Sequence, residues 1–180
     1  MKEDTVRKVM RKYFASKNIK IIPQRGAGPD FHIEGEGKVV EVKGSKYDFE
    51  RMLRQLWDYA FKFVDVSLAL PYDGLTLKRA EQLTGLAQLI EEAKDIRLRV
   101  YLVAPKPQTD NAFYVREYKQ AFFIATHMGI PIPIVLGFKR KNPDSTKDMA
   151  IENLVKYSPV ETLGKQVCSL ASDYVSVIQI

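Results

Sequence analysis

The 180-residue sequence contains a single cysteine, Cys168, which excludes an intrachain disulfide and any cysteine-based zinc cluster. A lone thiol fits a reducing compartment, and the expected location is the cytoplasm. There are two histidines, His32 and His127, and no zinc-type spacing or Ser-His-Asp set is visible around them. No apolar run approaches the ~20 residues that a membrane helix requires, so no membrane partner is expected. The charged N-terminus has no apolar stretch behind it, which argues against a signal peptide. The acidic pair Glu3 and Asp4 argues against a basic targeting segment. The loop around Gly26 and Gly28 is not followed by a helical pattern, so it is no dinucleotide-binding glycine loop. Repeats and low-complexity tracts are absent.

What is present is an ordinary globular mixture, 46% hydrophobic and 28% charged, long enough for one domain with its own core. The net charge is +6 and the isoelectric point is near 9.3. Such a balance suits a polyanionic partner and raises the prior for nucleic acid.

Residues 3–17 carry Val6, Val9, Met10, Tyr13 and Phe14 at helical spacing, with Arg7, Lys8, Arg11 and Lys12 on the other side. Glu3 falls beside the buried stripe, where a first-turn carboxylate could face a site. The plainer reading is that Glu3 and Asp4 complement the helix dipole. Residues 19–23 read as a strand.

Residues 28–43 hold the main signal. Two short strand-type runs meet at Gly35-Glu36-Gly37. With a two-residue turn at Gly35-Glu36, residue 34 pairs with 37, 32 with 39 and 30 with 41. Alternation then sets Asp30, His32 and Glu34 on the same face as Val39, Glu41 and Lys43. Asp30 and Glu41 become cross-strand neighbours with Cβ atoms about 5 Å apart. Two carboxylates so placed repel unless a cation lies between them, and hard divalent cations take carboxylate oxygens.

Ser45 and Asp48 resemble a capping box for a helix running to about residue 64. Its apolar stripe includes Phe49, Met52, Leu56, Trp57 and Ala60, while Arg51, Gln55 and Tyr59 form a separate row at i, i+4, i+8. A buried strand follows at residues 65–70, a turn at 71–74, a helix at 76–94 and a strand at 97–104. This order predicts a crossover and a mixed sheet. Beyond Pro107 the pattern predicts a helix from Thr109 or Asp110 to Met128, an extended segment at 130–138, a helix at 160–171 and a last strand at 174–180. Lys139-Arg140-Lys141 reads as a solvated loop.

Pro29-Asp30, ten intervening residues and Glu41-Val42-Lys43, set on a hairpin after a helix, resemble the PD-(D/E)xK nuclease superfamily. The resemblance covers about residues 1–104. It implies an α/β fold with a restriction-endonuclease-like core, a central mixed β-sheet flanked by helices in αβββαβαβ order. Residues 105–180 would form a C-terminal α/β extension packed on that core. It also implies that Asp30 and Glu41 hold Mg²⁺ (Mn²⁺ can substitute), with the Val42 carbonyl as a further ligand and Lys43 acting on the attacking water. Gln55 and Tyr59, as Gln-x-x-x-Tyr, are similar to a motif in the branch of phage lambda exonuclease and the bacterial recombination nucleases. Many members of that branch carry an upstream histidine ligand; His32 shares Asp30's strand face. The other branch is that of the archaeal Holliday-junction resolvases, in which Glu3 would be the acid of the first helix and a metal ligand.

The expected function is therefore a Mg²⁺-dependent nuclease hydrolysing DNA phosphodiester bonds in repair or recombination, with a homodimer or larger nuclease assembly as an open partner. Arg25, Lys46, Arg51 and Arg54 are the candidate phosphate contacts, which position a duplex without reading its sequence. The alternative is a non-catalytic nucleic-acid-binding or assembly subunit on the same fold.

Overall fold

Periodicity sets the first element. In the computed structural model, which describes residues 1–118 except 25, 27, 75, 76, 97, 107 and 108, together with residues 175–180, the stripe Val6, Val9, Met10, Tyr13 and Phe14 is buried on one side of α1 (Glu3–Ser16). Three strands follow: β1 (Ile21–Pro23), β2 (Phe31–Ile33) and β3 (Lys38–Val42). The chain then forms α2 (Phe49–Ala60), β4 (Asp65–Pro71), a 3₁₀ turn (Tyr72–Gly74), α3 (Leu77–Lys94) and β5 (Arg99–Pro105). Up to this point the order is αβββαβαβ, as the periodicity predicts. β6 (Ala112–Tyr118) and β7 (Val175–Gln179) complete the described elements.

The strands form one α/β mixed sheet in the order β1-β2-β3-β4-β5-β6-β7. β3, β4 and β5 run parallel, each joined to the next by a helix. The remaining pairs are antiparallel. Parallel neighbours need a crossover, and α2 and α3 supply it.

Period-two alternation divides the core into two layers. Val39, Val66, Leu68, Leu70, Val100 and Leu102 point to the face covered by α2 and α3. Val40, Val42, Ala69, Tyr101 and Val103 point to the other face, under α1. Glu41 thus belongs by parity to the α2 side. It is buried between Val40 and Val42 in a strand that is otherwise apolar after Lys38.

The hairpin register is the expected one. His32 pairs with Val39, and Phe31 and Ile33 with Val40 and Lys38. The turn occupies residues 34–37, with Gly35 and Gly37 at φ 75° and 62°, angles that glycine adopts without a Cβ penalty.

Four expectations are corrected. Of the helix expected from Thr109 or Asp110 to Met128, residues 112–118 form β6 instead, antiparallel to β5, and the remainder lies outside the described residues. Asn111 takes a left-handed turn conformation at φ 56°, and the Phe-Tyr-Val run after it suits a pleated, half-buried surface. α2 stops at Ala60 rather than 64, because the Val64 N–H bonds the Gly37 carbonyl at 2.9 Å. Its cap is Asp48, whose carboxylate accepts the Arg51 N–H at 3.0 Å. Ser45 donates instead to Asp73 at 2.7 Å. Finally, Arg7 does not lie with Lys8 on the solvent side but turns back to Asp30. The segments expected at 130–138 and 160–171, and Lys139-Arg140-Lys141, lie outside the described residues.

Candidate active site

The site forms at the C-terminal end of β3. Asp30 stands just before β2, where the hairpin register would bring it opposite Glu41. Its Oδ2 accepts the backbone N–H of Val42 at 2.7 Å. The carboxylate thereby prolongs the β2–β3 ladder beyond the last paired residues. Continued past its last pair, the register would set Val42 against Pro29, which has no N–H to offer. Asp30 is largely buried, with 13% of its side chain exposed.

Glu41 is more deeply buried, with 4% exposure. Its Oε1 accepts from the Lys43 ammonium, one pleat along the strand. Its Oε2 is buried without a hydrogen bond of ordinary geometry, and besides Lys43 the Tyr59 hydroxyl is the donor near the carboxylate. Burial pushes the Glu41 carboxyl above the usual range; Lys43 opposes that and the charge of Asp30 adds to it. The charge of Asp30 thus reaches Glu41.

α2 supplies the polar row. Gln55 Oε1 accepts from Lys43 Nζ at 3.1 Å. The ammonium is held between a strand carboxylate and a helix amide. One turn on, the buried Tyr59 phenol faces Glu41, and its pKa is raised first by burial and then by that carboxylate. Gln55 and Tyr59 thus converge on the strand motif. Arg51, at the start of the same row, is exposed, as are Lys46 and Arg54. Arg25 lies outside the described residues.

Glu3 reaches the site through an intermediary. Its Oε1 lies 2.7 Å from Arg7 Nη2, and the same nitrogen donates to Asp30 Oδ1. Asp4 is 3.9 Å from Arg7 on its other side. The start of α1 is seated on the loop after Lys43: a Cβ on Gly44 would come within 2.8 Å of the Glu3 nitrogen. Arg7 is the residue that sequence reasoning missed. The available signal was the i, i+4 spacing from Glu3.

His32 lies on the α2 side, its ring edge-on to Phe63 with centroids 5.3 Å apart, and its Nε2 is buried without a partner. Among the described residues, no group of three or more His, Cys, Asp or Glu side chains gathers as a metal-ligand cluster. A cavity of ≈ 580 Å³ between the C-terminal part of α1 and β1 is lined by Arg11, Asn18 and Ile22 among others, and by none of the candidate residues. No helix among the described residues is long and apolar enough to cross a membrane.

No family model, no curated protein and no solved structure matches the chain.

Proposed function

We propose that this chain is a metal-dependent deoxyribonuclease built on a restriction-endonuclease-like core, with residues 105–180 as an extension of it. The observation that carries the reading is the meeting of Asp30, Glu41, Lys43, Gln55 and Tyr59 at one end of β3. The residues fit Mg²⁺. Two carboxylates offer hard oxygen ligands, and Glu41 Oε2 lies without a hydrogen bond of ordinary geometry. Asp30, Glu41 and the Val42 carbonyl would hold the ion. Bound there, the ion would neutralise phosphate charge and lower the pKa of water.

The remaining chemistry belongs to the chain. Asp30, tied to the Val42 N–H, fixes the distance between the hairpin strands. Lys43, steadied by Glu41 and Gln55, presents an ammonium to the attacking water or a phosphate oxygen. Tyr59 shields the Glu41 carboxylate from bulk water. Exposed Lys46, Arg51 and Arg54 offer phosphate contacts along the start of α2.

The non-catalytic reading has one specific support. Both carboxylates are already neutralised by the chain's own cations, Asp30 by Arg7 and Glu41 by Lys43. The test is purified protein with supercoiled, linear and four-way-junction DNA in Mg²⁺ or Mn²⁺. Cleavage that disappears in Asp30→Ala and Lys43→Ala supports the nuclease. Salt-dependent DNA binding without cleavage supports the binding subunit.

A further inference from the structure

Arg7 occupies the position where a cation is wanted. Its Nη2 donates to Asp30 Oδ1 while Asp30 Oδ2 holds Val42, so both carboxylate oxygens are engaged. A divalent ion approaching Asp30 meets a guanidinium already in place, and like charges at that range repel. The guanidinium also has somewhere else to go. Glu3 and Asp4, one turn back on α1, are 40% and 86% exposed and already lie 2.7 and 3.9 Å from it. Arg7 itself is 37% exposed, and its Nε is buried without a partner, so Asp30 and Glu3 do not use its full donor set. At the two candidate ligands themselves, Asp30 and Glu41 are each matched by one cation, Arg7 and Lys43, which leaves little attraction for a dication unless a positive group withdraws.

We infer that Arg7 is a displaceable counter-ion of the site: it holds Asp30 in the free protein, and a divalent cation must move it onto Glu3 and Asp4 to bind. The inference rests on the metal-dependent reading above and adds a regulating residue to that site. It gives Glu3 a role as the acid that receives Arg7, in place of direct ligation. It also reverses the usual sign of a mutation in a binding site, because removing Arg7 strengthens cation binding.

The experiment is a calorimetric Mn²⁺ titration, without DNA, of wild type, Arg7→Gln, Arg7→Lys and Asp30→Asn. Removing a unit positive charge from beside the carboxylate ends its repulsion of an approaching dication, which is expected to change cation affinity by about tenfold. Arg7→Gln is expected to bind Mn²⁺ about tenfold more tightly than wild type. Arg7→Lys, which keeps the charge, stays near wild type, and Asp30→Asn binds least. Arg7→Gln binding no tighter than wild type, while wild-type binding still depends on Asp30, overturns the role of Arg7 and leaves the nuclease reading standing. Absence of Asp30-dependent binding in wild type and Arg7→Gln alike overturns the metal-dependent reading, and the inference with it. Arg7 is partly exposed and lies outside the stripe that anchors α1, so the variants are expected to fold.

Discussion

Asp30 Oδ2 accepts the Val42 N–H at 2.7 Å, so the acid of the first hairpin strand is tied to the residue between the acid and the lysine of the second. One hydrogen bond makes Asp30 both a structural group and a candidate ligand, and two substitutions separate the roles. Asp30→Ala leaves the Val42 N–H without its acceptor and takes one of the carboxylates from Arg7, at a cost of about 1–3 kcal/mol. Asp30→Asn keeps one carbonyl oxygen for Val42 and stays closer to wild-type stability. Both variants are expected to lose cleavage. Thermal unfolding and a plasmid-nicking assay, run side by side, check this; an active Asp30→Asn would remove Asp30 from the ligand set.

Lys43 is held from two sides, by Glu41 and by Gln55. Lys43→Ala is expected to slow cleavage by about 10²–10⁴-fold, the usual range for a group handling protons in the transition state. Gln55→Ala is expected to slow it less, since Glu41 still orients the ammonium. The decisive comparison is the double variant. If Gln55 acts through Lys43, Gln55→Ala has no further effect once Lys43 is gone. Single-turnover rates of the four proteins complete the cycle, and additive losses would mean that Gln55 works independently.

The hairpin was legible because two rules agreed. Period-two alternation set His32 against Val39, and the glycine turn set the register. Gln55 and Tyr59 were legible because i, i+4 spacing on a helix needs no knowledge of the partner. Arg7 was not. A helical wheel separates the apolar stripe from the rest, but the direction of a flanking arginine depends on Asp30, 23 residues away in the chain. The cap was misread for a similar reason. Ser45 has the right type, yet Asp73 on another loop claims its hydroxyl. β6 was missed because its strand state depends on the free edge of β5, a tertiary fact that local propensity does not contain.

At the opposite end of β4, a second charged cluster offers a contrast. Arg99 lies 3.2 Å from Asp65 and 3.0 Å from Glu117, and Tyr13 donates to Glu117 at 3.2 Å. All three ionic side chains are at most a quarter exposed. Arg99→Met removes the shared cation and leaves two acids largely buried, at an expected cost of about 3 kcal/mol. The cluster contains none of the candidate site residues, so cleavage per folded molecule is expected to stay at the wild-type level. Urea unfolding together with active-fraction-corrected rates tests both halves, and a rate loss without a stability loss would show that the cluster belongs to the site.

Glu41 gives the chain a pH signature. Burial raises its carboxyl above the ordinary value of 4.5, beyond what the Lys43 ammonium offsets. A group whose pKa is higher in the folded state binds its proton more tightly there. Its contribution to stability is therefore fully present below pH ~4.5 and is lost as the pH rises through the folded value. Glu41→Gln removes the titration while keeping an oxygen for Lys43. The stability of Glu41→Gln relative to wild type is thus expected to improve as pH rises from 4 to 7. Denaturant melts of both proteins across that range measure the difference directly. A difference that falls with pH would mean that Lys43 and Tyr59 more than compensate the burial. Divalent cation should then act in the opposite sense. Added Mn²⁺ is expected to stabilise wild type by binding the folded state alone, and to do so more strongly at pH 7 than at pH 4.5, where protons compete for Glu41. Glu41→Gln is expected to show little stabilisation at either pH.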